Sequence, residues 1–303
     1  MSARHTQSWF SKSICSISVA ERFSLPAKET IVSQVRAALA EDVGDGDLTA
    51  ALLDEKQQAT AVVIAREKGV LCGTAWFDEV FRQVDQRSRI EWLKRDSELL
   101  APNDRLCKIH GVAPSLLTAE RTALNFLQTL SGTATLVSRY VQAVEGTGVR
   151  ILDTRKTLPG LRLAQKYAVL CGGGDNHRIG LYDAVLIKEN HVRAAGSITR
   201  VLKQAYDRFP DVDIEIEVES PGELLEALEA GARRVLLDNF STDDLEKAVS
   251  LNHGRARLEV SGNVTFENLR SLAETGIDDI SIGALTKHLE AFDFSMLFED
   301  SHS

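Results

Sequence analysis

Long apolar runs are missing from this sequence. No stretch approaches the roughly 18 consecutive apolar residues that a membrane-spanning helix needs, so the chain reads as soluble. Cysteine is scarce: Cys15, Cys72, Cys107 and Cys171 form no C-x-x-C pair and show no metal-ligand spacing. That excludes a disulfide framework or a zinc module and fits reduced, mostly buried thiols in a cytoplasmic protein. With only 6 prolines and 20 glycines in 303 residues, no segment is low in complexity. Positive charge is also short overall. A net charge of -9 argues against nonspecific nucleic-acid binding, so an anionic ligand must find a local basic pocket.

What is present is an ordinary globular composition, 44% hydrophobic and 26% charged, long enough for one large domain or two modest ones. Residues 1–20 lack acids, carry several serines with Arg4 and Lys12, and weakly resemble an organellar transit peptide. Without an apolar core segment they read as an N-terminal extension, residues 1–26. Ile31, Val32, Val35, Ala38 and Leu39 recur at helical spacing, and the acidic loop Glu41 to Thr49 breaks that helix. The loop lacks the spaced ligands and closing glutamate of a calcium loop, so turn chemistry is expected there. From Ala59 to Ile109 short apolar runs alternate with a helical Trp76 to Val84 segment. Pro114 to Val144 reads as one or two helices, with Leu117, Leu124, Leu127 and Leu130 inward and Arg121, Asn125 and Gln128 on the other face.

After Gly148 the pattern becomes regular. Six short apolar runs end at Asp153, Lys188, Glu217, Asp238, Ser261 and Gly283, separated by helical patterns and short turns. Such alternation predicts parallel strands with right-handed crossovers. Because every run ends in a polar, charged or glycine residue, a βα barrel with six or seven strands is favoured over an open sheet. In a barrel those ends converge on one mouth. The expected fold is therefore α/β: an incomplete six- to seven-stranded βα barrel over 131–286, with an N-terminal α/β open-faced sandwich over 27–130 that residues 287–303 complete.

Between Arg150 and Arg193, eight Lys or Arg face four acids, +4 within a chain of -9. Clustered arginine forks suit a small ligand with several carboxylate or phosphate groups; Arg150, Arg162 and Arg193 could equally be surface charges. Glu217 and Asp238 end neighbouring strands. They could bind Mg2+ with water and phosphates, act as an acid/base pair, or simply pair with Lys156 or Lys188. Ser261-Gly262-Asn263 and the turn at Gly283 let backbone N–H groups approach a phosphate, helped by following helix N-termini. Gly172-Gly-Gly174 lacks the Lys and Ser/Thr of a Walker A loop and reads as a flexible connector. His177 can donate to an anion.

These residues resemble the quinolinate phosphoribosyltransferase family. The matching stretches are Glu120-Arg-Thr-Ala-Leu-Asn125, Asp153-Thr-Arg-Lys-Thr-Leu-Pro-Gly-Leu-Arg162, Gly172-Gly-Gly-Asp-Asn-His-Arg178, Leu186-Ile-Lys-Glu-Asn-His191, Leu236-Leu-Asp-Asn239, Ser261-Gly262 and Gly283-Ala284. The resemblance implies transfer of phosphoribose from phosphoribosyl pyrophosphate to quinolinate, with loss of CO2, giving nicotinate mononucleotide for NAD synthesis. It implies that Arg155, Lys156, His177 and Arg178 hold the two quinolinate carboxylates, with Thr157 also at the substrate site and Arg121 arriving from the neighbouring subunit of a homodimer or larger oligomer. Lys188, Glu217 and Asp238 would face ribose, pyrophosphate and Mg2+, and Ser261, Gly262, Asn263 and Gly283 the ribose phosphate. Lys156, Lys188, Glu217 and Asp238 are the implied catalytic groups. Asn263 stands where many members carry a second glycine. Three other readings stay open: a nicotinate phosphoribosyltransferase, a barrel aldolase or lyase using Lys188 as a Schiff base, and a noncatalytic phosphosugar-binding protein.

Overall fold

The computed structural model describes residues 24–299; Cys15 and the extension expected at residues 1–26 lie mostly outside that range. Helix α1 (Lys28–Val43) buries Ile31 and Val35 on one face. It runs two residues past Glu41, so the expected loop starts at Gly44, whose φ of 53° ends the helix. Beyond it, Asp47 accepts bonds from the Thr49 and Ala50 N–H groups and from Thr118 Oγ1. The acidic loop is turn chemistry.

Four strands, β1 (Gln58–Ala65), β3 (Arg89–Trp92), β5 (Arg105–Val112) and β12 (Phe294–Phe298), form an antiparallel sheet in the order β12-β1-β5-β3. The last strand thus returns from the far end of the chain to the first. Strands β2 (Gly69–Val70) and β4 (Leu99–Leu100) make a small separate pair. Helix α2 (Thr74–Val84) covers this region with buried Trp76, Phe77, Val80 and Phe81. Its periodicity turns one apolar face inward, where burial contributes about 1.5–3 kcal/mol per large side chain.

Helix α3 (Ala113–Ala143) is one uninterrupted helix of 31 residues, entered through Pro114, where a missing N–H costs nothing. Leu116, Leu124, Leu127 and Leu130 are fully or almost fully buried, with Leu116 taking the inward place expected of Leu117; Arg121 and Asn125 are exposed. Its first half packs in the core of the antiparallel sheet and its end, with Val137 and Tyr140, in the core of the second sheet. It crosses the expected boundary at 130/131 without a break.

The second sheet has six parallel strands: β6 (Arg150–Leu152), β7 (Ala184–Ile187), β8 (Asp213–Val218), β9 (Arg234–Asp238), β10 (Arg257–Ser261) and β11 (Asp279–Ser281), in the order β6-β11-β10-β9-β8-β7. Strands adjacent in sequence pair in space from β7 to β11, and β11 pairs back to β6. Among the described residues β6 and β7 do not pair; β6 instead makes an isolated bridge, Leu152 to Asp175, with the connection that follows it. Helices α4 (Arg162–Cys171), α5 (Glu189–Ala195), α6 (Ile198–Arg208), α7 (Pro221–Glu229), α8 (Thr242–Asn252), α9 (Leu269–Ala273) and α10 (Ala284–Lys287) occupy the connections. Ser197, Ser220 and Ser241 cap α6, α7 and α8 by accepting the third-residue N–H.

Parity along the strands divides the sheet into two unlike faces. Ile151, Ile187, Ile214, Ile216, Val218, Val235, Leu237, Leu258, Val260 and Ile280 share one face, within the core packed by helices. The other parity carries Arg150, Glu215, Glu217, Arg234, Asp238, Arg257, Glu259, Ser261 and Asp279. Parallel sheets are usually apolar on both faces; this one is not. The charges are paired as burial demands: Asp279 accepts from Arg150 and Arg257, while Arg234 reaches Glu259 at 3.0 Å and Glu215 at 3.6 Å.

Gly172 and Gly174 correct the expectation of a flexible connector. A Cβ on Gly172 would lie 2.4 Å from the Ala134 carbonyl oxygen, and one on Gly174 2.9 Å from Val137. Gly172 and Gly174 lack side chains because α3 passes against them, and Gly173 between them takes a φ of 90° that favours glycine.

Candidate active site

The C-terminal ends of the parallel strands frame a cleft of about 490 Å3 lined by Thr154, Arg155, Lys156, His177, Arg178, Leu186, Lys188, Glu217, Leu236, Asp238, Glu259, Ser261, Gly262 and Ser281. Nine of the residues singled out from sequence therefore meet in one place. Gly283 adjoins it: a Cβ there would lie 2.7 Å from Lys156 Cδ. Thr157 Oγ1 instead accepts from Arg162 Nε at 3.1 Å, and Arg121, exposed on α3, does not line its own chain's cleft.

The cationic side of the cleft has an unusual feature. Among the described residues, Arg155, Lys156 and Arg178 form no ion pair, and Arg155 Nε is a buried donor without a partner. An unpartnered buried N–H costs about 1–3 kcal/mol. Burial and the neighbouring Arg155 pull the Arg178 guanidinium below its ordinary range. An arriving anion would relieve all of these costs. The other basic residues of the segment are used within the fold. Arg150 pairs with Asp279, Arg193 pairs with Glu189 on its own helix, and Arg162 bonds Thr157 and the Ile179 carbonyl, tying the two cationic loops together.

Those loops are also held by a buried cluster that the sequence reading missed. Lys166, 2% exposed, donates to Asp153 Oδ1 at 2.5 Å and to the His177 carbonyl at 2.9 Å. Asp153 also accepts from Asn176 Nδ2 and the His177 N–H. Burial pushes the Asp153 carboxyl up to about 6 against the pull of Lys166, and burial likewise lowers Lys166. The signal was present: Asp153 and Asn176 stand beside Arg155 and His177 in the matched motifs, but nothing local says that a helix lysine joins them.

The acidic side begins with Glu217, which accepts from Lys188 Nζ at 2.5 Å. Asp238 is held above the usual carboxylate range by burial and then by Glu217, which Lys188 and Lys156 only partly offset. Two carboxylates on neighbouring strand ends, Glu217 raising the cost of charge on Asp238, are a donor set that a hard divalent cation fits. At the next strand end Gly262 has φ 86°, and a Cβ would stand 2.4 Å from Asn239 Oδ1. Asn263 follows with φ 51° and donates to Asn239 Oδ1. Asparagine tolerates this left-handed geometry, which explains how it can stand in a glycine position. The following helix, α9, starts six residues beyond Asn263, and its N-cap residue Asn268 donates from Nδ2 to the Asn263 carbonyl at 3.0 Å.

His177 faces two cavities. Its Nε2 lies 2.9 Å from Glu215 Oε2 and 3.4 Å from Glu259 Oε1, and its Nδ1 accepts from the Arg178 N–H at 2.7 Å. Burial works against its charge, but the two glutamates override burial and push the imidazole up to about 9. A second cavity of about 320 Å3, lined among others by Arg150, Arg234, Asp183 and Glu215, shares His177 and Arg178 with the cleft.

Three free cations opposite two carboxylates, at the C-terminal edge of a parallel sheet, define a protein that gathers small polyanions for group transfer. Residues 47–131 match the model of the quinolinate phosphoribosyl transferase N-terminal domain, and residues 133–297 that of its C-terminal domain. The chain belongs to the quinolinate phosphoribosyltransferase family. It is 39% identical over 257 residues to a probable nicotinate-nucleotide pyrophosphorylase (carboxylating) of Bacillus subtilis, covering 84% of this chain and 89% of that protein. It is 38% identical over 283 residues to a chloroplastic nicotinate-nucleotide pyrophosphorylase (carboxylating) of Arabidopsis thaliana, covering 86% and 81%. The solved nicotinate-nucleotide pyrophosphorylase of Francisella tularensis superposes with a TM-score of 0.89 at 46% identity, covering 92% of this chain and 99% of that one. A human nicotinic acid phosphoribosyltransferase structure, 13% identical with a TM-score of 0.58, shares the fold alone.

Proposed function

We propose that this chain is a decarboxylating quinolinate phosphoribosyltransferase of NAD biosynthesis, taking quinolinate and phosphoribosyl pyrophosphate to nicotinate mononucleotide, pyrophosphate and CO2. The observation that carries this reading is the set of unpaired cations, Arg155, Lys156 and Arg178, around a buried donor without an acceptor, in the same cleft as Glu217 and Asp238. A ligand with two carboxylates uses that many cations; one with a single carboxylate leaves some unspent. Lys188 is half exposed and paired with Glu217, which disfavours the Schiff-base reading, since such a lysine works desolvated or beside another cation.

In this reading the parallel sheet is an incomplete barrel, opened between β6 and β7, and the domains divide at 130/131, with the segment after 286 returning to the N-terminal sheet through β12; residues 300–303 of that expected segment lie outside the described residues. Arg155, Lys156, His177 and Arg178 hold the quinolinate carboxylates, with Thr157 positioning their loop through Arg162. Ser261, Gly262, Asn263 and Gly283 receive the ribose phosphate. Glu217 and Asp238 would hold Mg2+, which when bound neutralises charge growing on pyrophosphate. The pyridine nitrogen attacks the anomeric carbon, and pyrophosphate leaves with the bonding pair, met by Lys188. The ring, now cationic, accepts the electron pair of the neighbouring carboxylate as CO2 departs, and that ring carbon takes a proton. The residues' main contribution is to hold two anions in contact.

Arg121, exposed and outside its own cleft, is assigned to the neighbouring site of a homodimer or larger oligomer. Arg121→Ala and Lys156→Ala should each inactivate the enzyme, and subunit exchange between them should restore part of the activity. Verified heterodimers without recovery would contradict a shared site. The proposed compartment is the cytoplasm. Functionally, the deciding experiment supplies quinolinate or nicotinate with phosphoribosyl pyrophosphate and Mg2+. Product from quinolinate alone supports the proposal; product from nicotinate alone overturns the substrate, and silence with both favours a lyase or a binding protein.

A further inference from the structure

The glutamates beneath the cleft have no part in the scheme above, yet they are costly to maintain. Glu215 is 4% and Glu259 1% exposed, on β8 and β10, and each leaves one carboxylate oxygen without a hydrogen bond. Isolated buried carboxylates would neutralise rather than persist as charges. What they share is the Nε2 of His177, between them, and the guanidinium of Arg234 on β9 behind them. Other groups around the ring are Asp153 at the end of β6, which accepts the His177 N–H, Lys166 of α4, which donates to its carbonyl, and Arg178 beside it. The trio His177, Glu215 and Glu259 is close enough to enclose a metal ion, but Arg234 already supplies the countercharge that an ion would bring.

We infer that Glu215 and Glu259 are positioning residues that engage Nε2 of His177, so that an anionic ligand in the cleft meets Nδ1 and the Arg178 N–H as a pair of adjacent donors. The inference rests on the phosphoribosyl-transfer reading of the cleft. Without ligand, Nδ1 accepts from Arg178 N–H across 2.7 Å, so a proton on Nδ1 is opposed by a neighbouring donor. Around Nε2 the opposite holds, because two carboxylates favour a fully protonated ring and raise its affinity for the second proton to about 9. A ligand carboxylate accepting from both N–H groups removes the opposition at Nδ1 and leaves the attraction at Nε2. Such a charge-assisted fork is stronger than either neutral contact. It joins a carboxylate to the charged face of the sheet, where Arg234 reaches Glu215 and Glu259 on the strands either side of it.

Two measurements test this, and the first is independent of the identity of the reaction. First, 15N spectra of histidine-labelled wild-type protein, with His177 assigned by loss of its signal in His177→Asn, report both ring nitrogens with and without quinolinate. Both nitrogens protonated at pH 7.5 in the quinolinate complex is expected; a neutral ring in that complex overturns the inference. Second, KM for quinolinate is followed against pH in wild type, Glu215→Gln and Glu259→Gln. Wild type should lose affinity as pH rises through about 9, and the variants should do so at least one pH unit lower. At pH 8 their KM for quinolinate should then be roughly tenfold higher, as loss of one charge-assisted bond implies, with KM for phosphoribosyl pyrophosphate unchanged. Unshifted profiles, or equal changes in both KM values, would mark the glutamates as structural. If wild type turns over nicotinate but not quinolinate, the proposed function fails while the spectra, recorded with nicotinate, still decide the role of the ring.

Discussion

The two faces of the parallel sheet differ more than the two sheets do. The helix-covered face is filled by branched aliphatic side chains such as Ile216, Val235 and Val260, each fully or almost fully buried. On the opposite face Arg150, Arg234 and Arg257 are matched by Glu215, Glu259 and Asp279, until the strands reach the cleft, where, among the described residues, Arg155, Lys156 and Arg178 form no ion pair. Stability resides on the first face and along the paired part of the second. Chemistry begins where pairing stops. The same backbone therefore serves both, with the division made by parity across the sheet and by position along it.

Breaking the unpaired end should cost activity and little stability. Asp238→Ala is expected to lower kcat by about 10^2–10^3, the range for losing one preorganised charge at a transferring group, with the melting temperature close to wild type. A parallel loss of both would show that the strand ends are structural. Breaking the paired part should cost stability. Lys166→Met leaves the buried Asp153 without its partner, and loss of one member of such a pair costs about 3–5 kcal/mol, read as a fall in the denaturant midpoint.

On the helix-covered face, Ile216→Ala should cost about 2–5 kcal/mol through lost burial and a residual cavity, with KM for both substrates unchanged in the protein that remains folded. A smaller effect separates two carboxyls of opposite habit. Arg87 and the Ser115 hydroxyl hold Asp85, in the antiparallel region, down at about 2, so its contribution to stability is present above 3.8 and lost as pH falls towards 2. Asp153 is raised to about 6, so its contribution is greatest below 3.8 and is lost as pH rises through 6. Melting curves of Asp85→Asn and Asp153→Asn across pH 3 to 7 should therefore diverge from wild type in opposite directions. Smallest is Ser220→Ala at the α7 cap, about 1 kcal/mol of stability with no kinetic effect.

Much of the cleft was legible in the sequence because strand ends are marked by a change of residue type. Asp153, Lys188, Glu217, Asp238 and Ser261 each close an apolar run, and parallel strands must bring such ends to one edge. Glu215, Arg234 and Glu259 were missed although their signal was equally local. In Asp213-Ile-Glu-Ile-Glu217 both glutamates share a parity, so a glutamate at the cleft predicts another beneath it on the same face. Other features had no local signal. The packed turn at Gly172 is dictated by Ala134 and Val137 on a distant helix, and Gly132 within α3 is a glycine because the Glu290 backbone occupies the space of its missing side chain. The role of Lys166 depends on a fold that brings α4 back onto the end of β6.

The most direct test of the central claim, that free cations and paired carboxylates together perform a decarboxylating transfer, uses quinolinate labelled at the carboxylate beside the ring nitrogen. The account predicts labelled CO2 in step with pyrophosphate, dependent on phosphoribosyl pyrophosphate and slowed about 10^2–10^3-fold by Asp238→Ala. Release of label without phosphoribosyl pyrophosphate, or pyrophosphate without label, would contradict it.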